Sequence, residues 1–207
     1  MLQISTAFRK RFARLRWCSW WATAVLTLSF CTASADTLPS FQITDIKGET
    51  RTIGEQGSET SNVFVFILND CPISNQYQPK LSRLASQFGT KQIRFHFIHA
   101  DPQTTPPLAR KHATDFHIDS PIYLDPQHHL VKRLKATMTP EVVVLDRHNE
   151  LVYQGRIDNL YFKLGRKRFK ATEHNLKDTL KAIVDGTPIP TARTKAIGCY
   201  IPTLDSD

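Results

Sequence analysis

The sequence predicts an α/β domain: a central mixed β-sheet flanked by helices, with an N-terminal hairpin and a C-terminal tail. Three observations predict it. Val63 to Leu68 is an unbroken apolar run, as expected of a strand covered on both faces. Directly after it, Tyr77, Leu81, Leu84, Ala85 and Phe88 recur at helical spacing. Strand-like and helical stretches then alternate to residue 185, which places helices on the faces of a sheet.

In chain order, Phe41, Ile43, Ile46 and Ile53 around Lys47-Gly48-Glu49 predict a hairpin. Val63 to Leu68 is the central strand, broken by Asn69 and Asp70. Asn75 to Phe88 is a helix, with Pro79 early enough to be accommodated. Ile93 to Ile98 alternates as a strand, Leu108 to Phe116 is helical and Ile122 to Leu124 is a short strand. A helix covers His129 to Leu134. Strands at Glu141 to Leu145 and Leu151 to Gln154 flank a turn at Arg147-His148-Asn149. A last helix runs from Glu173 to Asp185, capped by Thr172 in front and stopped by Gly186. The basic run Arg166 to Lys170 falls in a loop before it and reads as a solvated face.

The 207 residues carry 27 Lys plus Arg against 19 Asp plus Glu. Five of those cations (Arg9, Lys10, Arg11, Arg14, Arg16) precede residue 36 in a stretch without an acid, leaving 22 against 19, or +3, for the rest. Basic residues, the apolar segment Trp17 to Phe30 and then Ala33-Ser34-Ala35 have the layout of a secretory signal peptide, with cleavage expected before Asp36 and export to a bacterial periplasm. A retained N-terminal anchor is the alternative, and membrane association is expected only in that case. Lipid modification at Cys31 is disfavoured by the bulky Phe30. Residues 36–186 suit one domain, and 187–207 form a tail carrying Cys199. With a net charge of only +3 and no phosphate-cradling glycine loop, nucleic acid is not an expected partner.

The exported part keeps two thiols, Cys71 and Cys199. A cysteine at the first turn of a helix after a buried strand feels unpaired N–H groups and the positive end of the helix dipole, which favour thiolate. Cys71-Pro72-Ile73-Ser74 supplies that setting, because Pro72 suits an early helical position. Asp70 next door is read as the helix cap. Thr139-Pro140 precedes a strand, where a proline can hold a cis bond and turn its neighbour's backbone toward a facing loop. In the tail, Gly198 before Cys199 permits a tight backbone approach, and proline-extended Thr187-Pro188-Ile189-Pro190 lets the tail fold back.

These residues resemble the thioredoxin-like superfamily over about Phe41 to Asp185, in its exported redoxin branch near the TlpA-like and peroxiredoxin-like (AhpC/TSA-type) proteins. The resemblance implies that Cys71 is the nucleophile opening the helix, that Ser74 takes the place of the second cysteine, that Pro79 is the kinking proline and that Pro140 is the facing cis-proline. Gly155-Arg156-Ile157-Asp158 and the ending Gly198-Cys199 look like a redoxin-type subgroup. Two departures follow. Ser74 makes the site CxxS, which excludes a disulfide within one helical turn. Leu68 stands where peroxiredoxins carry Thr or Ser three residues before their cysteine, which argues against efficient peroxide reduction.

The expected function is a thiol-disulfide oxidoreductase acting on a thiol or disulfide protein partner or a small thiol, with no cofactor. Cys71 attacks, Thr139 and Pro140 orient the substrate, and Pro72, Ser74 and Asp70 support the site. Cys199 is a resolving cysteine, a structural disulfide partner or a free tail thiol. Other readings are a non-catalytic binding module, a copper carrier using Cys71, Cys199 and one of His96, His99 or His174, and a thiol peroxidase. Tyr77 is read as core, and His128-His129 as a solvated helix start.

Overall fold

A computed structural model describes residues 37–55 and 58–204, all within the compact unit Ala35–Asp207. The expected leader lies outside the described residues. The hairpin forms from β1 (Phe41–Thr44) and β2 (Thr50–Ile53), paired antiparallel, with Asp45 accepting backbone N–H bonds from Lys47 and Glu49 at the turn. Then come β3 (Ser61–Ile67), α1 (Pro72–Gly89), β4 (Ile93–His99), α2 (Pro106–Phe116), β5 (Ile122–Leu124), α3 (His129–Leu134), β6 (Met138–Thr139), β7 (Glu141–Leu145) and β8 (Leu151–Gly155). The chain closes with β9 (Tyr161–Lys163), β10 (Arg166–Lys167), α4 (Asn175–Asp185) and β11 (Cys199–Tyr200).

Five strands make the central sheet in the order β5-β4-β3-β7-β8, with β3, β4 and β5 parallel and β7 and β8 antiparallel to their neighbours. Every residue of the central strand β3 is buried, as its continuous apolar run requires. Its alternate side chains feed two cores. Val63, Val65 and Ile67 meet Leu81, Leu84 and Phe88 of α1 and Leu176 and Leu180 of α4, while Phe64 and Phe66 meet Leu130, Val131 and Leu134 of α3 together with Ile43 and Ile53 of the hairpin.

Four expectations are corrected. Strand β4 does not alternate: it is buried on both faces after Arg94, because helices cover both sides of it. Thr172 does not cap the last helix, which begins at Asn175 after His174; the Thr172 hydroxyl instead accepts from Asn159 Nδ2 at 2.8 Å. His128 is not solvated. It is buried with a left-handed backbone, and its Nε2 donates to the Ala100 carbonyl at 2.8 Å. The basic run is a hairpin rather than a loop, since β9 and β10 pair antiparallel.

Candidate active site

Helix α1 begins where the central strand ends, and its N-cap is Cys71 itself, not Asp70 as the sequence suggested. The Cys71 backbone is extended (φ −79°, ψ 108°), so its sulfur turns back over the first helical turn and accepts the Ser74 N–H at 3.4 Å. Pro72 follows as the first helical residue and Pro79 lies inside the helix. The thiol donates to the Thr139 carbonyl at 3.3 Å. Sequence-distant residues 71 and 139 therefore meet through the sulfur. The Thr139-Pro140 peptide is cis.

The tail completes the site. Strand β11 pairs antiparallel with β6, placing Cys199 opposite Thr139 and Tyr200 opposite Met138. The Thr139 hydroxyl donates to the Cys199 carbonyl at 3.4 Å, and the Ile201 N–H reaches the Thr137 carbonyl at 3.2 Å. A β-carbon on residue 198 would stand 1.9 Å from the Thr139 oxygen, so glycine alone lets the tail lie this close. Upstream the tail is tied to β8: Gln154 N–H donates to Ala192 O at 2.9 Å, Thr194 N–H to Gln154 O at 3.0 Å, and Arg193 Nη1 to the Gln154 side-chain oxygen at 2.8 Å. Cys71 is 1% exposed beneath this strand, and Cys199 is half-buried; both are free thiols. Burial, a hydrogen bond to the Cys71 side chain and the proximity of Cys71 and Asp70 push the Cys199 thiol up to about 12. Both cysteines are gathered at Thr139, Cys71 through its sulfur and Cys199 through the strand pairing. Asp70 thus bears on Cys199 by its charge.

Ser74 is wholly buried, and its hydroxyl has no hydrogen-bond partner among the described residues. Behind α1, Asn75 Nδ2 donates to the Asn69 carbonyl at 2.8 Å and Asn75 Oδ1 accepts from His112 Nε2 at 2.8 Å, which pins the turn carrying Cys71 to α2. His99 of β4 packs edge-on against His112, ring centroids 5.1 Å apart. Burial and then His112 drive the His99 pKa down to about 3, and burial lowers that of His112.

Asp158, Lys80 and Tyr161 escaped sequence reasoning. Tyr77 is core as expected, yet its hydroxyl donates to Asp158 Oδ1 at 2.5 Å, and Lys80 closes an ion pair on the same nearly fully buried carboxylate. Tyr161 donates to Gln76 on α1 and packs against the Tyr77 ring, centroids 5.9 Å apart, and its pKa is raised by burial and then by Cys71. The signal was faint: Asp158 ends a segment the sequence had marked without a role, and Tyr161 opens a polar stretch. Of the copper candidates, His96 is held between Asn62 and Tyr123, at 2.9 and 3.1 Å, and its partner ring Phe64 belongs to the second core. Among the described residues no three His, Cys, Asp or Glu side chains are grouped to hold a metal ion.

The Redoxin family model matches residues 33–160. Among solved structures, the chain is similar to an uncharacterized conserved protein from Geobacillus kaustophilus, at 26% identity, covering 84% of this chain and 93% of that one with a TM-score of 0.74. It is also similar to a hypothetical protein from Sinorhizobium meliloti, at 22% identity over 83% and 95% of the two chains with a TM-score of 0.71. The thioredoxin domain of a thiol-disulfide oxidoreductase from Bacteroides vulgatus shares the fold, at 14% identity over 59% and 87% with a TM-score of 0.50. No curated protein matches.

Proposed function

The chain belongs to the redoxin family, and from that premise we propose that it is an exported thiol-disulfide oxidoreductase with Cys71 as nucleophile and Cys199 as resolving cysteine. One observation carries the reading: the Cys71 thiol donates to the backbone oxygen of the same residue, Thr139, that Cys199 faces across the β6–β11 pair. A fold that needed neither thiol would have no reason to bring a cysteine from the tail to a cysteine at a helix N-terminus.

The Cys71 sulfur sits on the Ser74 N–H at the positive end of α1, a position that stabilises negative charge. The Cys71 thiolate attacks one sulfur of a substrate disulfide. The disulfide bond breaks, Cys71 is left in a mixed disulfide, and the departing thiolate takes up a proton. Cys199 then attacks the Cys71 sulfur, expels the second substrate thiol and closes a Cys71–Cys199 disulfide. Two electrons have passed from the protein to the substrate, and a dithiol reductant restores the pair.

While Cys71 is free, its side chain helps hold Cys199 protonated. Burial is the larger cause and persists through the cycle; a Cys71 held in a mixed disulfide removes only the smaller contribution of its side chain. Thr139 and Pro140 orient the incoming backbone, Pro72 and Ser74 shape the turn under the sulfur, and Asp70 supports the site from the preceding residue. Cleavage before Asp36 would release the domain into the periplasm, where such a pair can be oxidised.

The test is disulfide reduction with glutathione disulfide or a cysteine-containing peptide disulfide. Cys71→Ser is expected to abolish turnover, and Cys199→Ser to stop at a stable mixed disulfide on Cys71 visible by mass spectrometry. Full turnover in Cys71→Ser, or failure of the oxidised native chain to link residues 71 and 199, would overturn the reading.

A further inference from the structure

Residues Tyr161 to Lys170 hold five cations (Lys163, Arg166, Lys167, Arg168, Lys170) and no acid. They fold as the β9–β10 hairpin with its turn at Leu164-Gly165, and every residue from Phe162 to Lys170 is exposed. Three large apolar side chains stand among the charges: Phe162 at 50% exposure, Leu164 at 62% and Phe169 at 103%. Solubility alone favours burying or replacing such groups.

The charge is not neutralised from within. Asp158 is taken by Tyr77 and Lys80, and Glu173 by Arg156 and Asn159. None of the ion pairs among the described residues uses Lys163, Arg166, Lys167 or Lys170. Arg168 is spent locally, over the Phe162 ring at 5.2 Å and on the Asn159 carbonyl at 2.6 Å.

We propose that this hairpin docks the domain on a membrane surface rich in anionic phospholipid, Leu164 and Phe169 entering the headgroup region while Lys163, Arg166, Lys167 and Lys170 meet the phosphates. Basic side chains near such a surface are attracted by its negative potential, and apolar side chains gain by leaving water for the acyl boundary. A membrane suits the shape better than an acidic polypeptide does. The tip has no walls: a β-carbon on Gly165 would meet nothing within 4 Å, so a peptide would find charge there but no groove. The bilayer brings its own apolar phase, and backbone pairing between β9 and β10 lets the tip approach it with fewer bare N–H and C=O groups. The sequence alone tied membrane contact to an uncleaved leader; the fold supplies a second route. The hairpin is tied through Tyr161 to Gln76 on α1, the helix that Cys71 caps, so docking would bring that end of α1 near disulfides held at the surface, a consequence that rests on the proposed function.

The experiment is vesicle flotation with the chain from Asp36 onward, the compact unit that contains both cores. Vesicles of phosphatidylcholine alone are compared with equal parts phosphatidylcholine and phosphatidylglycerol. Binding is expected to be at least about tenfold stronger on the anionic vesicles and to weaken steeply as salt rises. Lys163→Gln/Arg166→Gln/Lys167→Gln and, separately, Leu164→Ser/Phe169→Ser should each cost about tenfold. All five positions are exposed, so folding is retained and circular dichroism verifies it. Equal binding to both vesicle types overturns the proposal. So does unchanged vesicle binding by Leu164→Ser/Phe169→Ser, and competition by polyglutamate in that variant would assign the hairpin to acidic polypeptides instead. Cys71→Ser should float like the native chain, which separates this result from any failure of the thiol chemistry.

Discussion

A β-carbon added at Gly198 would overlap the Thr139 carbonyl oxygen, its carbon and the nitrogen of Pro140, all backbone atoms fixed by the sheet. The neighbour cannot yield, so the tail must. Gly198→Val is therefore expected to lift β11 from β6, slow closure of the Cys71–Cys199 disulfide at least about tenfold and destabilise the fold by about 1–3 kcal/mol, as forced overpacking does. Timed alkylation of free thiols after mild oxidation measures the first effect and urea unfolding the second; native closure rates in the variant would show that the tail's position does not depend on this contact. At this scale the sequence was informative where a residue type has few other uses. Gly198 before a cysteine, Pro72 after one and Pro140 before a strand each exposed a backbone requirement. Asp158 and Tyr161 were opaque because their meaning lies in Tyr77, Lys80 and Gln76, residues some eighty positions away that become neighbours only in the fold.

Between β4, α1 and α2 the structure keeps two imidazoles neutral. Neither ring nitrogen of His99 has a hydrogen-bond partner among the described residues, and His112 faces it with one nitrogen on Asn75. Burial, then the neighbouring His112, holds the His99 pKa near 3 against an ordinary 6.5. A folded-state pKa below the unfolded value gives stability that is present above pH 6.5 and lost as pH falls toward 3. His99→Leu should unfold near the native urea midpoint at pH 7, and should lessen the loss between pH 6.5 and 4 by up to about 3 kcal/mol. Parallel acid profiles for the two proteins would contradict this. Elements with a sustained apolar pattern were legible before the structure: β3, β7 and the body of α1 stand where that pattern put them. Strands β6 and β11 were not, because two residues carry no period. They exist because the tail finds an open backbone edge beside the cis-proline. Helix α4 starts late for a related reason: Asn159 engages Thr172 and Glu173 through its side chain and keeps that segment out of the helix.

For the molecule as a whole, a bond between the tail and the start of α1 would turn a local chemical event into global stability. Linking Cys71 to Cys199 would close a loop of about 129 residues, from the start of α1 to the last described strand, and loop-closure entropy for that length is worth about 5 kcal/mol in the unfolded state. The fold already holds both residues against Thr139 without the bond, Cys71 by its thiol and Cys199 through the β6–β11 pair and the ties from Ala192, Arg193 and Thr194 to β8. With an unstrained bond, most of that entropy should appear as stabilisation. At about 2–4 °C per kcal/mol for a domain of this size, the oxidised chain should melt about 10–20 °C above the reduced one. Cys199→Ser should melt near the reduced native protein whatever the redox buffer. Scanning calorimetry in oxidised and reduced glutathione reads the difference. An oxidised form that melts with or below the reduced form would mean that the bond distorts the Thr139-Pro140 segment beside it, and the pair would then be a labile redox couple with no stabilising share in the fold.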